Sequence, residues 1–173
     1  WTIGDNKHQG LPLRNALVEA GWVFVAINYR LSPKNHFPAH LIDCKQAVRW
    51  IKENIASHGG DPDFIMVTGG SAGGHLSSLI ALTANKDKDI LQPGFEETLP
   101  IGLGEEFHHD ILPERHALLK AERISYEWLK PFSMARPYIE SVENITYGPN
   151  ERNTLNLFKP SVSSDKPRPV MLQ

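Results

Sequence analysis

The sequence predicts an α/β fold, in which a mostly parallel β-sheet is flanked by helices and a helical cap-like segment is added. The first observation is the apolar run WVFVAIN at residues 22–28, which is typical of a strand buried on both faces. The second is the order of elements between residues 22 and 84, namely strand, helix, strand, tight turn and helix. This alternation favours parallel strands joined by right-handed crossovers. The third is an apolar stripe, spaced three and four residues apart, that predicts the first of these helices: Leu41, Cys44, Val48, Ile51 and Ile55.

The remaining elements of this half follow from local signals. The first helix is expected to end in the segment HGGDPD, with Gly59 or Gly60 as its cap and Pro62 as its stop. The run FIMV, residues 64–67, predicts a short buried strand. A second helix is expected from about Ala72 to Ala84, directly after a glycine-rich turn.

A polar stretch with proline and glycine predicts a domain boundary near residue 97. Residues 1–97 are then the core segment that carries the glycine-serine turn. Residues 98–142 are predicted to be a helical cap-like segment, because they contain charged helix-forming pieces such as LPERHALLKAERISYEWLK and MARPYIESV. Residues 143–173 are predicted to be extended strands that pair with the core sheet.

Composition and charge exclude several function classes. The chain has 173 residues, of which 40% are hydrophobic and 22% charged, as in ordinary globular proteins. Its formal net charge of -2, without a basic stripe, argues against a nucleic-acid partner. Apolar runs such as residues 22–27 are far shorter than the roughly 20 residues of a membrane span. No membrane span is therefore expected, and the oligomeric state stays open.

Cys44 is the single cysteine, which excludes an internal disulfide and favours a reducing compartment such as the cytoplasm. The triplet NIT at Asn144 is too short a signal to indicate a secretory route.

Gly69, Gly70, Ser71, Ala72 and Gly73 form the pattern G-x-S-x-G between a predicted strand and a predicted helix. A sharp strand-to-helix turn holds such a serine in a strained conformation, requires small neighbours and exposes the hydroxyl. The Ala72 N–H at the helix start can then donate to an oxyanion. The alternatives are an inert serine in a glycine-rich turn, or a phosphate loop. The phosphate-binding patterns G-x-x-x-x-G-K-[ST] and G-x-G-x-x-G do not match.

Three segments resemble the hormone-sensitive-lipase-like branch of the α/β-hydrolase carboxylesterases: AINYRLSP, FPAHLIDCKQAVRWIKENIASHGGDPDFI and VTGGSAGGHLSSLIALT. The likeness covers residues 1 to about 97, and the motifs Y-R-L-[SA]-P, G-G-D-P and G-[DG]-S-A-G-G follow in the family's order. It implies a partial α/β-hydrolase fold with Ser71 as nucleophile, Ala72 as an oxyanion donor and the three surrounding glycines as the nucleophile elbow. The implied substrates are small-molecule carboxylic esters of short or medium acyl chain, and no cofactor or metal is implied.

The histidine base and the carboxylate that a serine hydrolase needs are not evident in the sequence. Asp110 and His116 follow Ser71 in the order that this fold uses, but they lie in a charged helical stretch without a strand-loop setting. His75 is one helical turn beyond Ser71 and is expected to pack locally or to line the pocket. The acid and the histidine are therefore expected outside the chain as given.

Other candidate positions lie in the cap-like segment. His108 and His109 are adjacent, so their side chains diverge on a helix and a metal site is not expected. Trp128, Leu129 and Phe132 are apolar and could face an acyl group, although ordinary helix packing explains them equally well.

The family's H-G-G-G loop, which supplies a second oxyanion donor, does not occur in the chain. The ending KPRPVMLQ resembles the strand that leads into that loop, the opening WTIGDNKHQGLPLRNALVEAG resembles the segment that leaves it, and residues 98–173 resemble the family's lead-in region. We therefore expect a permuted or assembled order, with a short oxyanion segment missing between Gln173 and Trp1. A gap of about five residues would place these two ends within about 18 Å of each other. The alternative is a natural chain whose last third is an unrelated appendage.

Two function classes follow from the sequence. The first is a serine hydrolase of carboxylic esters that acts through an acyl-enzyme on Ser71, with an amidase or deacetylase as a variant of the same chemistry. The second is a non-catalytic ligand-binding or interaction module that retains the fold.

Overall fold

The computed structural model describes residues 2, 4, 10–84, 86–96 and 137–173. The elements in chain order are α1 (Leu11–Glu19), β1 (Val23–Ile27), α2 (Ala39–Asn54), a 3-10 helix (Ile55–His58), β2 (Gly60–Val67), α3 (Ala72–Leu82), α4 (Lys88–Leu91), β3 (Ile139–Thr146), β4 (Thr154–Pro160) and β5 (Arg168–Leu172).

The strands form one five-stranded sheet in the order β2-β5-β1-β4-β3. The strand β5 pairs in parallel with both β1 and β2, whereas β4 is antiparallel to both β1 and β3. Helices flank the sheet, so the α/β class is confirmed. The described sheet is mixed, with two parallel and two antiparallel pairings, because β3 and β4 form a hairpin rather than a crossover unit.

The core has one apolar layer on each face of the sheet. On one face, Val23 and Val25 pack in the larger cluster with α2 and α3. On the other face, Phe24 and Ala26 pack with Val18 of α1. Successive residues of β1 therefore point to opposite buried faces, which confirms the predicted strand buried on both faces.

The apolar stripe that the spacing predicted is buried along α2 and the first residue of the 3-10 helix, and each of its residues is at most 3% exposed: Leu41, Cys44, Val48, Ile51 and Ile55. The longest described helix, α2, has 16 residues, and none of the described helices is long and apolar enough to cross a membrane. The cytoplasmic location favoured by the single cysteine stays a prediction.

The end of α2 agrees with the expected cap but not with the expected stop. A 3-10 turn follows the helix, and Gly59 ends that turn with φ 83°, a left-handed conformation that favours glycine. Pro62 does not stop the helix and lies inside β2 instead. The register of β2 against β5 shifts between Gly60 and Ile65, and this irregularity accommodates a proline that cannot donate a ladder hydrogen bond.

The strand β2 is longer and less buried than the short buried strand predicted at residues 64–67. Phe64 is 49% exposed and Met66 is 36% exposed, whereas Ile65 and Val67 pack against the larger core cluster. The reason is that alternate residues of a strand point to opposite faces: Ile65 and Val67 lie on the face that packs on the core, whereas Phe64 and Met66 lie on the opposite, largely exposed face. The following helix, α3, begins at Ala72 as expected and ends at Leu82, two residues before the predicted end.

The strand β3 begins at Ile139, four residues before the predicted start of the extended region at residue 143. Residues 139–142 were expected in the helical cap-like segment, and they instead pair with residues 157–160 of β4. Tertiary pairing overrides the local helical composition at this point. The rest of that segment, up to residue 136, lies outside the described residues.

The last residue extends the centre of the sheet. The Gln173 N–H donates to the Val25 carbonyl at 2.8 Å, and the Gln173 carbonyl accepts from the Ile27 N–H at 2.9 Å. Its side-chain amide lies so close to Gly10 that a Cβ there would overlap it. Trp1 lies outside the described residues, so the expected proximity of Trp1 and Gln173 stays a prediction.

A partly buried ion pair between Arg30 and Asp43 fixes the segment after β1 to α2. Asp43 is fully buried and accepts hydrogen bonds from the Arg30 backbone N–H at 2.9 Å, from Nη2 at 2.7 Å and from Nε at 2.9 Å. The hydrogen bond to Asp43 raises the pKa of Arg30 above its usual value. One carboxylate therefore fixes both the backbone and the side chain of Arg30.

We expect Asp43→Ala to lower the free energy of unfolding by about 3 kcal/mol, because it leaves the Arg30 guanidinium and amide without their buried acceptor. Glu53→Ala is the matched control, since it removes an exposed ion pair with Arg49 on the same helix and should cost only about 0.4 kcal/mol. Urea unfolding of both variants measures the difference. Equal losses would show that the Arg30–Asp43 pair contributes no more to stability than the exposed Arg49–Glu53 pair.

Candidate active site

The glycine-serine turn lies at the carboxyl edge of the parallel strands. Because β1, β2 and β5 run in the same direction, their carboxyl ends meet at one edge. The Thr68 N–H donates to the Leu172 carbonyl at 2.8 Å, which continues the β2-β5 pairing one residue beyond β2. The chain then turns through Gly69 and Gly70 and enters α3 at Ala72. Ligand sites in open α/β sheets commonly form at this edge.

Ser71 adopts a strained backbone conformation at this turn. Its φ of 51° and ψ of -112° lie outside the main regions for a residue with a Cβ. A residue held in such a region costs about 1–3 kcal/mol, and such strain is concentrated at functional sites. Ser71 is exposed, and its hydroxyl makes no capping hydrogen bond to the described helix α3. The serine is therefore positioned by the backbone and presented to solvent.

Gly69 is the elbow glycine that close packing requires. A Cβ on Gly69 would lie 2.6 Å from Gly73 Cα and 2.8 Å from the Gly73 carbonyl oxygen. A Cβ on Gly70 or on Gly73 would meet no atom within 4 Å. The Gly73 N–H also donates to the Gly70 carbonyl at 2.9 Å, so the backbone folds back on itself around Ser71.

Ala72 is the first residue of the 11-residue helix α3. The N–H groups of a first helical turn have no acceptor from the helix itself, and the helix dipole places partial positive charge there. An anion that forms next to the Ser71 hydroxyl can therefore accept a hydrogen bond from this end of the helix.

The other candidate residues are placed as follows. His75 is exposed on the next turn of α3, and its N–H donates to the Ser71 carbonyl at 3.1 Å. The remaining histidines, carboxylate and apolar residues that the sequence singled out lie outside the described residues: His108, His109, Asp110, His116, Trp128, Leu129 and Phe132. In the ranges that the structure describes, no three His, Cys, Asp or Glu residues form a group that could hold a metal ion.

A small apolar cavity of about 30 Å³, which the sequence did not indicate, lies beneath the turn. Its lining includes Cys44, Gly73, Leu76, Ser77 and Ile80. Burial raises the pKa of the Cys44 thiol above its usual range, so this side chain behaves as an apolar wall. The Ser77 hydroxyl donates to the Gly73 carbonyl at 2.8 Å. The spacing of four residues between glycine and serine is the sequence signal that could have indicated this contact.

Comparison with known proteins places the chain among esterase-like sequences. The family model BD-FAE matches residues 1–110. The chain is similar to a probable carboxylic ester hydrolase, LipM, of Mycobacterium tuberculosis, with 59% identity over 97 residues, which is 56% of this chain and 22% of that protein. It is also similar to esterase LipQ of the same organism, with 55% identity over 96 residues, or 56% of this chain and 22% of that protein.

A longer but weaker likeness joins the chain to arylacetamide deacetylase of Bos taurus, with 29% identity over 167 residues, or 92% of this chain and 41% of that protein. The chain thus spans about a fifth of the length of the two mycobacterial relatives. No solved structure matches it.

We expect Ser71→Gly to be more stable than Ser71→Ala by about 1 kcal/mol, because glycine adopts this φ and ψ freely and part of the gain is offset by its greater chain entropy. Both variants lack the hydroxyl, so urea unfolding of the pair isolates the backbone strain. Equal stability would contradict a strained turn.

Gly69→Ala should lower the free energy of unfolding by about 2 kcal/mol, because its Cβ would overlap the Gly73 backbone. Gly70→Ala is the control, since its Cβ enters open space, and we expect a change within about 0.5 kcal/mol. Thermal unfolding of the two variants tests the contrast. An unchanged stability of Gly69→Ala would show that the turn has room for a Cβ beside the Gly73 backbone.

Proposed function

The chain belongs to the BD-FAE family, an α/β-hydrolase-type domain, and from this premise we propose that it is a serine hydrolase of carboxylic esters that forms an acyl-enzyme on Ser71. The observation that carries this proposal is the backbone of Ser71. An exposed serine held at φ 51° between a parallel strand and the start of a helix has the geometry of a nucleophile elbow. A turn without such a function would not need to retain this strain.

The reaction that we propose has two acyl transfers. The Ser71 oxygen attacks the ester carbonyl carbon, and its proton passes to a base. The carbonyl oxygen becomes negatively charged, and the Ala72 N–H at the start of α3 donates to it. The alcohol leaves with a proton, and an acyl group stays on Ser71. Water then attacks the acyl carbonyl, and the carboxylic acid is released while the Ser71 hydroxyl is restored.

The proton transfers require a histidine base oriented by a carboxylate. In the proposed mechanism Ser71 and Ala72 are the assigned residues. The Asp110–His116 pair has the chain order of this fold but lies outside the described residues. The proposed chemistry involves no metal or organic cofactor, since the serine itself carries the acyl group.

The substrate class proposed here rests on the relatives. LipM and LipQ are named as a probable carboxylic ester hydrolase and an esterase, and each aligns with 56% of this chain. The family match over residues 1–110 contains the Ser71 turn. The bovine relative is named as a deacetylase, which is consistent with the same acyl transfer to a serine, in which an amine instead of an alcohol is the leaving group. We propose small carboxylic esters with a short or medium acyl chain as substrates of the whole protein.

Replacement of the nucleophile tests the proposal. In the full protein, Ser71→Ala should lower kcat/KM for a short-chain p-nitrophenyl ester by about 10⁴-fold or more, because no acyl-enzyme can form. The control is Ser78→Ala, an exposed serine of the same helix whose hydroxyl bonds the Gly74 carbonyl at 3.0 Å. A fluorophosphonate probe followed by peptide mapping should mark Ser71 in the wild type and in Ser78→Ala.

Hydrolysis that survives in Ser71→Ala would refute the assigned nucleophile. A full protein that neither hydrolyses esters nor reacts with the probe would instead support the non-catalytic binding module that retains the fold.

A further inference from the structure

We propose that Ser77 is a positioning residue for the Ser71 turn, because its hydroxyl holds the Gly73 carbonyl and thereby the backbone against which the turn rests. This inference rests on the proposed function of Ser71. It adds a residue that touches neither substrate nor reacting atoms and that acts through Gly73.

Gly73 is the residue through which α3 supports the turn. Its N–H donates to the Gly70 carbonyl at 2.9 Å, and its Cα lies against the backbone of Gly69. Gly69 and Gly70 directly precede Ser71. A displacement of the Gly73 peptide is therefore transmitted to Ser71 through one hydrogen bond and one close backbone contact.

Side-chain packing does not hold Gly73 in place. It has no side chain, and a Cβ built on it would meet no atom within 4 Å. Gly73 and Ser77 both line the cavity of about 30 Å³ beneath the turn, so the peptide borders space into which it could relax. Two adjacent glycines, Gly73 and Gly74, also weaken the first turn of α3, since each costs about 1 kcal/mol relative to alanine.

The Ser77 hydroxyl opposes this relaxation. It is partly buried and donates to the Gly73 carbonyl at 2.8 Å, four residues earlier on the helix. Such a bond within a helix commonly bends the helix slightly and contributes little to its stability. Its consequence at this position is geometric, because it fixes the direction of the Gly73 carbonyl, whose oxygen lies 2.8 Å from the position of a Cβ on Gly69.

The next residue offers a natural control. The Ser78 hydroxyl donates to the Gly74 carbonyl at 3.0 Å, which is the same bond one position further along the helix. Ser78 is exposed, and it is not among the residues that line the cavity beneath the turn. A general effect of serine-to-carbonyl bonds on α3 should therefore be equal at the two positions, whereas a positioning role should be specific to Ser77.

The experiment compares Ser77→Ala, Ser77→Thr and Ser78→Ala in the full protein. Hydrolysis of a short-chain p-nitrophenyl ester gives kcat and KM, thermal unfolding gives Tm, and hydrogen exchange reports on residues 69–76. We expect Ser77→Ala to lower kcat about tenfold with KM unchanged, because a small misplacement of a nucleophile slows the chemical step. Exchange of the elbow peptide should be faster in this variant. Ser77→Thr keeps the hydroxyl and should restore kcat and slow exchange, whereas Ser78→Ala should match the wild type.

Three results would overturn the inference: an unchanged kcat and exchange rate in Ser77→Ala, an equal loss in Ser78→Ala, or a loss in Ser77→Ala that threonine does not rescue. Failure of the proposed function is separate, because the wild type would then show no hydrolysis that depends on Ser71. In that case hydrogen exchange decides, and faster exchange only in Ser77→Ala would still support the positioning of the turn.

Discussion

The parallel pairing of β5 with β1 on one side and with β2 on the other is the constraint on which the site depends. Within the described residues β2 joins the sheet only through β5, and the hydrogen bond from Thr68 to Leu172 continues this pairing up to the turn. The position of Ser71 is therefore set by backbone hydrogen bonds to a strand that lies about a hundred residues away in the chain. Side chains near Ser71 refine the site, but the sheet determines at which edge it forms.

The strain at Ser71 persists because the surroundings leave the backbone no relaxed alternative. On one side, the β2-β5 ladder fixes the chain up to Thr68. On the other side, α3 is held against the core by Leu76 and Ile80, which are 2% and 3% exposed. The absence of a side chain on Gly69 lets these two fixed elements approach each other closely. The favourable burial of α3 and the paired strands thus offset a local cost of about 1–3 kcal/mol.

Local periodicity correctly predicted the elements in which the burial of side chains follows the spacing of apolar residues in the sequence. The strand β1 and the helix α2 are buried as their apolar residues indicated. Residues 64–67 were predicted to be a short buried strand, because four consecutive apolar residues do not reveal that one face of the strand is left exposed. Residues 139–142 were wrongly predicted to be helical. Their local composition does not reveal that they pair with β4 in the folded protein.

The candidate site divides in the same way. The letters G-x-S-x-G between a strand and a helix predicted the strained serine, since the motif is itself a local backbone requirement. Of the three elbow glycines, only Gly69 has no room for a Cβ. The sequence could not predict this difference, because it results from the contact between Gly69 and Gly73 in the folded turn. The cavity beneath the turn is lined by residues of β1, α2, β2, α3 and β5, which meet only in the folded protein, so no local sequence pattern predicts it.

The sheet at the centre of this fold also governs how fast the chain can fold. The Tyr147 hydroxyl bonds the Asn28 carbonyl across 119 residues, and the Asn28 side chain bonds Thr154 across 126 residues. Contacts of such high sequence separation close long loops before they gain any burial, which slows folding. Until these contacts form, the strand β1 presents the apolar run VFVAI without its neighbours. Chain assembly is then a kinetic competition between native pairing and self-association of this segment, and the outcome depends on protein concentration and on chaperones.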